Sequence, residues 1–167
     1  SGHGVVRKAA NEWLRSFAEL CGIPVVTTFM GKGGITSVSP CSIGTLGLAR
    51  DRQIRDVFSR ADLIIAIGYD LVEYAPEHWN PRLDKKIIHI DFTTSEVDHH
   101  YVPEIEIISD IRETLELLEG MVRANRKSEQ VIRLREDLTE RFEREGTAGT
   151  WPPQPPRANE GDLEDKR

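Results

Sequence analysis

The chain has 167 residues, a formal net charge of -6 and 38 % apolar residues, which is ordinary for one globular domain with a proper core. Lysines and arginines are scattered among carboxylates, so the sequence lacks the basic footprint of a nucleic-acid-binding protein. No apolar run approaches the length of a bilayer span and no signal peptide is recognisable, so we expect a cytoplasmic protein without membrane contacts. Cys21 and Cys41 lack metal-binding spacing, which predicts packing thiols and no metal site.

The chain begins with a Gly-x-Gly pattern, Gly2-His3-Gly4, that stands directly before a helical pattern. Glycines at a strand-to-helix turn let the backbone approach a pyrophosphate, but that fingerprint needs a strand in front of it. We therefore expect that the first strand of the fold is missing before Gly2. Apolar residues at helical spacing predict one helix from Val6 to Cys21, which Gly22 ends.

The central strand of the predicted sheet is Leu63 to Ile67. Its five apolar residues are too few for a stand-alone helix and do not alternate with polar ones, so they predict a strand covered on both faces. Further strands are predicted at 23–28, near 41–43, at 86–91 and, as an edge strand, at 104–108. In the strand order expected of this fold class, the missing strand belongs between Val25-Val26 and the central strand.

Helical patterns alternate with these strands. They predict a helix over 51–61, a short helical turn near 95–99, a helix that Asp110 and Glu113 open as N-cap and N3 residues, and a charged helix over 128–144 that Gly146 ends. The alternation predicts an α/β fold with a doubly wound, Rossmann-like parallel sheet. We expect an α/β domain over 1–122, the charged helix within 123–146, and a Pro-rich linker or disordered tail over 147–167.

Candidate ligand-binding positions follow the strands. Gly68 and Asp70 come directly after the central strand, where open α/β sheets bind ligands, although a plain turn glycine is an equally good interpretation. Asp91 ends the next strand, where an acid either binds a ribose hydroxyl or caps the following turn. The long Gly-rich loop over 29–48 has the length of a functional loop, but Lys32 within it is better interpreted as an exposed lysine than as a phosphate ligand.

Several short segments, taken together and in this order, carry a family resemblance: Gly2-His3-Gly4, Ile23-Pro24-Val25-Val26-Thr27-Thr28, Gly31-Lys32-Gly33, Gly44-Thr45-Leu46-Gly47, Ala61-Asp62-Leu63-Ile64, Ile67-Gly68-Tyr69-Asp70 and Ile88-His89-Ile90-Asp91. Over residues 2–119 the chain resembles the central domain of thiamine-diphosphate-dependent enzymes of the acetolactate synthase type. The segment Gly68-Tyr69-Asp70, with Glu73-Tyr74, Trp79 and Asn80, is most similar to the catabolic, flavin-independent kind.

The resemblance implies an intact enzyme that converts two pyruvates into 2-acetolactate and CO₂, as in branched-chain amino acid biosynthesis or its catabolic counterpart. It implies that thiamine diphosphate and Mg²⁺ bind to other domains of the same enzyme. Those domains are the expected partners of this one, and the intact enzyme is expected to be a homodimer or homotetramer. Members hold the magnesium with a Gly-Asp-Gly…Asn motif, whereas Gly161-Asp162 is followed by Leu163 here. We therefore expect that this chain by itself is not catalytic.

In flavin-binding relatives the central domain holds FAD through turns that match fourteen positions of this chain. These are Gly2, Gly4, Thr28, Met30, Gly31, Gly44, Thr45, Leu46, Gly68, Tyr69, Asp70, Asp91, Ser109 and Asp110. Those relatives carry an Arg-x-Asp-Asp pattern after the glycine that matches Gly68, whereas this chain has Tyr69-Asp70-Leu71-Val72. The resemblance leaves open whether the crevice holds FAD, ADP or no ligand. The departure from the relatives' pattern after Gly68 favours weak ADP-like binding or an empty site, without retained FAD.

Two other classes of protein share this kind of sheet. A free-standing FAD-binding module of the electron-transfer flavoprotein type is the main alternative, and a yellow colour on purification would favour it. A sirtuin-like deacylase needs a four-cysteine zinc site, which two cysteines exclude.

Overall fold

The computed structural model describes residues 1–47, 51–122 and 128–145. Within these ranges the elements are, in chain order, α1 His3–Arg7, α2 Asn11–Cys21, β1 Val25–Thr27, β2 Ser42–Thr45, α3 Asp51–Arg60, β3 Leu63–Ile67, β4 Lys86–Asp91, β5 Ile105–Ile108, α4 Ile111–Met121 and α5 Ser128–Glu145, with a 3₁₀ turn at Pro76–His78. The strands pair in parallel and helices flank them, which confirms the predicted α/β, Rossmann-like fold. None of these helices is long and apolar enough to cross a membrane.

The strands form two separate parallel sheets, β1-β2 and β3-β4-β5. No described strand joins β1 to β3, and a cleft of about 560 Å³ lies between them, lined by apolar side chains that include Val26, Ile64 and Ile65. This cleft is where the sequence predicts the missing first strand. The expectation that β3 is covered on both faces is therefore wrong for its first half: Leu63 is 43 % exposed, and burial is complete only at the end of the strand, at Ala66 and Ile67.

The main apolar core lies around α1, α2 and α4. Val5, Leu14 and Phe17 are buried there with Ile111 and Leu115, because the apolar stripes of α2 and α4 face each other. A second cluster forms on the other side of β3, where the rings of Tyr69, Trp79 and Tyr101 lie 5.4 to 6.2 Å apart. Their tilted and edge-on arrangements are those that aromatic rings prefer. As the sequence predicts, Cys21 and Cys41 are free thiols packed in or against the main core.

The first helical segment is shorter than the sequence predicts. Instead of one helix from Val6 to Cys21, α1 ends at Arg7 and α2 begins at Asn11. Ala9 has a left-handed backbone with φ of +50°, and its N–H donates to the Val6 carbonyl while the Ala10 N–H donates to the Val5 carbonyl. These two bonds form a Schellman motif, which normally uses glycine at the left-handed position. Because Ala9 is apolar, it fits the helical spacing of the neighbouring apolar residues, and the end of α1 cannot be recognised from the sequence.

One loop also differs from the prediction. The helical turn expected near 95–99 is absent from the described structure, where Asp98 and Tyr101 instead form an isolated antiparallel bridge and the Asp98 carboxylate accepts the His100 N–H at 2.8 Å. Such side-chain to backbone bonds compete with helix formation. The loop after β3 contains the 3₁₀ turn that begins at Pro76, because proline fits the first position of a helical turn.

The charged helix begins where predicted and packs on the domain. In α5, Val131 and Leu138 are buried in the main core. The Arg135 guanidinium donates to the carbonyls of Ser39 at 2.6 Å and Ser37 at 2.7 Å. The predicted stop at Gly146 and the predicted tail over 147–167 lie outside the described residues.

The turn at Gly68 provides a test of the fold. Its φ is +57°, and a Cβ at this position would lie 2.5 Å from the Val5 nitrogen and 2.8 Å from the Gly4 Cα. We predict that Gly68→Ala lowers the free energy of unfolding by about 3 kcal/mol or more. The backbone of Gly4 and Val5 must move to make room for the new Cβ, and the alanine must adopt a strained, left-handed backbone conformation. In α4, a Cβ added at Gly120 would have no other atom within 4 Å, so the control Gly120→Ala should stabilise the chain by about 0.5–1 kcal/mol. Equal urea midpoints for the two variants would contradict this packing.

Candidate functional site

The two glycines at the start of the chain lie directly against the turn after β3. The Gly2 N–H donates to the Ile67 carbonyl at 2.9 Å, and the Gly4 N–H donates to the Gly68 carbonyl at 2.8 Å. A Cβ on Gly4 would lie 2.6 Å from the Gly68 Cα. The glycines are therefore required for the close approach of two backbone segments, and their N–H groups are already bonded.

The beginning of the long loop over 29–48 packs against the first residues of the chain. The Thr28 N–H donates to the Ser1 carbonyl at 2.9 Å, and the Thr28 hydroxyl oxygen accepts the Gly31 N–H at 2.9 Å. A Cβ on Gly31 would lie 2.7 Å from the Ser1 carbonyl oxygen. Met30, between them, is 50 % exposed. This loop is thus held against the first residues of the chain by backbone contacts.

The carboxylate of Glu73 is the centre of this arrangement. It accepts the His3 N–H on both oxygens, at 3.0 and 2.9 Å, and the Asp70 N–H at 3.2 Å. The Thr28 hydroxyl also donates to it. One carboxylate therefore joins the start of α1, the turn after β3 and the end of β1, at a helix N-terminus that favours negative charge.

The sequence did not predict this role for Glu73, which was named only as one of the residues that carry the family resemblance. Glu73 and His3 are 70 positions apart, so no local spacing connects them. The only local signal is the turn itself, in which the Glu73 N–H donates to the Asp70 carbonyl at 3.1 Å and the Asp70 carboxylate accepts the Val72 N–H at 3.1 Å. This turn brings Glu73 back towards the end of β3.

Tyr69 follows Gly68 but its side chain belongs to the aromatic cluster. Its hydroxyl donates to the Tyr74 carbonyl and accepts the Trp79 indole N–H at 3.4 Å. Burial raises the pKa of Tyr69 to about 12, so the phenol stays neutral. The residue that stands in place of the relatives' arginine is therefore used for packing.

The candidate residues in and directly after β2 are Gly44, Thr45 and Leu46, and they continue the hydrogen bonding between β1 and β2. The Leu46 N–H donates to the Thr27 carbonyl at 2.8 Å, and the hydroxyls of Thr45 and Thr27 share a hydrogen bond of 2.9 Å. Gly44 has φ of +148°, and a Cβ there would lie 3.0 Å from the Cδ1 of Ile54. These contacts hold β2 between β1 and α3.

The candidates at β4 and β5 bond to neighbouring backbone. The Asp91 carboxylate accepts the Phe92 N–H at 2.6 Å, which is the capping geometry that the sequence left open, and burial raises the pKa of Asp91. The Ser109 N–H donates to the Asp91 carbonyl at 2.8 Å. The Asp110 carboxylate accepts the N–H groups of Arg112 and Glu113, at 2.9 and 3.2 Å, which confirms the predicted N-cap of α4.

The fourteen candidate residues thus lie at the carboxyl ends of the parallel strands. They form separate groups, and each group is held by its own contacts. The group around Glu73 consists of Gly2, Gly4, Thr28, Gly31, Gly68 and Asp70. That the fourteen positions contact a nucleotide stays a prediction. Among the residues described, no three His, Cys, Asp or Glu side chains are grouped so as to hold a metal ion.

The Glu73 contacts provide a second test. Glu73→Ala leaves the N–H groups of His3 and Asp70 and the Thr28 hydroxyl without their acceptor, and we predict a loss of about 2–4 kcal/mol in the free energy of unfolding, because unmade bonds to a charged group are costly. The control is Glu77→Ala, since the Glu77 side chain is 61 % exposed and its removal should change stability by no more than about 0.5 kcal/mol. A Glu73→Ala variant as stable as Glu77→Ala would contradict the bridging role.

Comparisons with known proteins agree with this architecture. Residues 1–118 match the family "Thiamine pyrophosphate enzyme, central domain". The chain is 32 % identical over 114 residues to the acetolactate synthase of Bacillus subtilis, a match that covers 68 % of this chain and 20 % of that protein. It is 34 % identical over 139 residues to the acetolactate synthase large subunit of Corynebacterium glutamicum (78 % of this chain, 21 % of that protein) and 36 % identical over 119 residues to the chloroplastic acetolactate synthase 1 of Zea mays (67 % and 18 %).

The chain therefore spans about a fifth of the length of these relatives. The family match covers more than half of the chain and includes every strand described above. This protein belongs to the family of thiamine pyrophosphate enzyme central domains.

Proposed function

We propose that this chain is the non-catalytic central domain of a thiamine-diphosphate-dependent carboligase that makes 2-acetolactate from two pyruvates. The names of the relatives and the fraction of their length that the chain spans support this proposal. Its partners are the other domains of the same protein, which hold thiamine diphosphate and Mg²⁺, in a cytoplasmic homodimer or homotetramer. The observation that carries the proposed absence of a tightly held nucleotide is the carboxylate of Glu73, which lies at the ends of β1 and β3.

A dinucleotide in this fold class places its pyrophosphate on free N–H groups at a strand-to-helix turn. In this chain the N–H of His3 donates to Glu73, and the N–H groups of Gly2 and Gly4 donate to carbonyls of the β3 segment. A phosphate at this position would compete with a carboxylate for the same donors and repel it, since both are anions. The described residues therefore do not fit a tightly held FAD.

Among the described residues, no three His, Cys, Asp or Glu side chains are grouped so as to hold a metal ion. No step of thiamine chemistry is therefore assigned to them. The domain instead supplies a rigid α/β scaffold, in which the group around Glu73 ties the two sheets together.

The nucleotide part of the proposal predicts that the purified chain shows no flavin absorption band after dialysis. By calorimetry, FAD should bind no more than about tenfold more tightly than ADP, a difference of about 1.4 kcal/mol. Glu73→Ala should bind ADP more tightly than the unchanged chain, because it removes the competing anion, whereas Glu77→Ala should not. A flavin band that survives dialysis would overturn the proposal of an unoccupied or ADP-like crevice.

The carboligase part is tested with pyruvate, thiamine diphosphate and Mg²⁺. The protein encoded by the whole reading frame that contains this sequence should form 2-acetolactate and CO₂, and the 167-residue chain alone should form neither. Acetolactate formed by the isolated chain would disprove the non-catalytic role. A whole protein that forms none would disprove the assignment to acetolactate synthesis.

A further inference from the structure

A second cavity lies at the opposite end of the sheet from the fourteen candidate positions. It has a volume of about 310 Å³ and is bounded by the second half of α3, the 3₁₀ turn and the segment that leads into β4. Because Ser59 comes shortly before β3 and Lys85 directly before β4, the cavity lies at the amino ends of these parallel strands. It is therefore separate from the group around Glu73.

The walls of this cavity carry more positive than negative charge. Three of the side chains that line it are basic and two are carboxylates, namely Arg55, Arg82, Lys85, Asp56 and Asp84. The formal charge of these five side chains is +1, whereas the whole chain has a net charge of -6. In an acidic protein, a concave site with an excess of cations attracts anions locally.

Lys85 brings one of these charges to the base of the cavity. Its side chain is only 5 % exposed, and its ammonium nitrogen lies 3.0 Å from an Asp84 carboxylate oxygen and 3.4 Å from the Ser59 carbonyl oxygen. Hydrogen bonds from Lys85 and Arg82 lower the pKa of Asp84, which keeps this carboxylate ionised. A buried ammonium needs such partners, and they hold it in one position.

Arg82 lies at the mouth of the cavity and keeps donors for a further acceptor. Its Nε donates to the Asp84 carboxylate at 2.9 Å, and its Nη2 donates to the Ser59 carbonyl at 3.3 Å. A guanidinium carries five N–H groups in one plane, so these bonds use two of the five. No residue within 1–47, 51–122 and 128–145 accepts the other three, and the Arg82 side chain is 62 % exposed.

Part of this arrangement stabilises the end of α3. The Ser59 carbonyl is one of the last carbonyls of the helix, which no N–H of the helix can reach, and cations there are favoured by the helix dipole. This role accounts for Lys85 and for one bond of Arg82. It does not account for the remaining donors of Arg82, or for a third basic side chain, Arg55, on the same cavity.

From this arrangement we propose that the cavity binds a phosphate group, either free or as the phosphomonoester of a small metabolite. The planar N–H groups of Arg82 match two phosphate oxygens, and Arg55 adds a second guanidinium to the lining. The His78 imidazole, whose side chain is 47 % exposed, provides a further polar group at the rim.

The size and the remaining wall of the cavity limit the ligand to a small molecule. Its volume is at the lower end of the range of ligand cavities, about 300–1,000 Å³, so a dinucleotide is too large. Trp79 is 5 % exposed and lines the cavity, and its indole provides an apolar wall for the carbon part of a phosphomonoester.

The test titrates the 167-residue chain with inorganic phosphate and with glycerol 3-phosphate at constant ionic strength. In NMR spectra, the Trp79 indole N–H and the Arg82 Nε–H signals should shift and saturate at millimolar concentrations of phosphate. Tighter binding of glycerol 3-phosphate would identify the ligand as a phosphomonoester, whereas equal binding of the two probes would identify it as the phosphate group alone.

Variants of the two arginines test the assignment of the donors. Arg82→Gln and Arg55→Gln should each raise the dissociation constant for inorganic phosphate at least about fivefold, because a charged donor to a charged acceptor is lost. Arg82→Lys keeps the charge without the planar N–H groups and should restore only part of the affinity. The matched control is Arg133→Gln in α5, whose side chain is 80 % exposed and which makes the same change of charge without an effect on binding.

Three results would overturn the proposal. The first is the absence of a Trp79 shift at phosphate concentrations up to about 20 mM, or equal weakening of binding by Arg133→Gln, which would indicate attraction without a site. The second is a set of shifts confined to the Gly2 and His3 amides, which would place phosphate in the crevice beside Glu73. The third is an Arg82→Gln variant with a lower urea midpoint but unchanged phosphate affinity, which would show that Arg82 only caps α3.

Discussion

The structure depends on a short wedge of backbone, Ser1 to Gly4, that lies between two parallel sheets. Its N–H groups donate to Val26, Ile67 and Gly68. In the described part of the chain no strand joins the sheets, so these bonds connect them together with the main core, which contains Val25 and Ile67. The positions in the wedge are glycines where a side chain would collide with the facing backbone.

The same wedge supports the proposal that this domain holds no nucleotide tightly. The N–H groups that would receive a pyrophosphate are bonded to carbonyls of β3 or to Glu73.

Local sequence patterns predict those elements whose cause is local. The apolar runs at β3 and β4 predict both strands at their observed bounds, Gly22 ends α2 with φ of +64°, and Asp110 caps α4. The end of α1 is missed because Ala9, and no glycine, adopts the left-handed conformation. The role of Glu73 is missed because its partner His3 becomes a neighbour only after the sheet has formed.

The central claim is that the wedge holds the two sheets together, and native-state hydrogen exchange measures it directly. The Gly4 and Thr28 amides, which bond to Gly68 and Ser1, should exchange as slowly as the Ile90 amide in the β3-β4 pair, because opening them requires the sheets to separate. Exchange of Gly4 and Thr28 at the rate of exposed loop amides, with Ile90 still protected, would show that the sheets are held together by other contacts and would contradict this account.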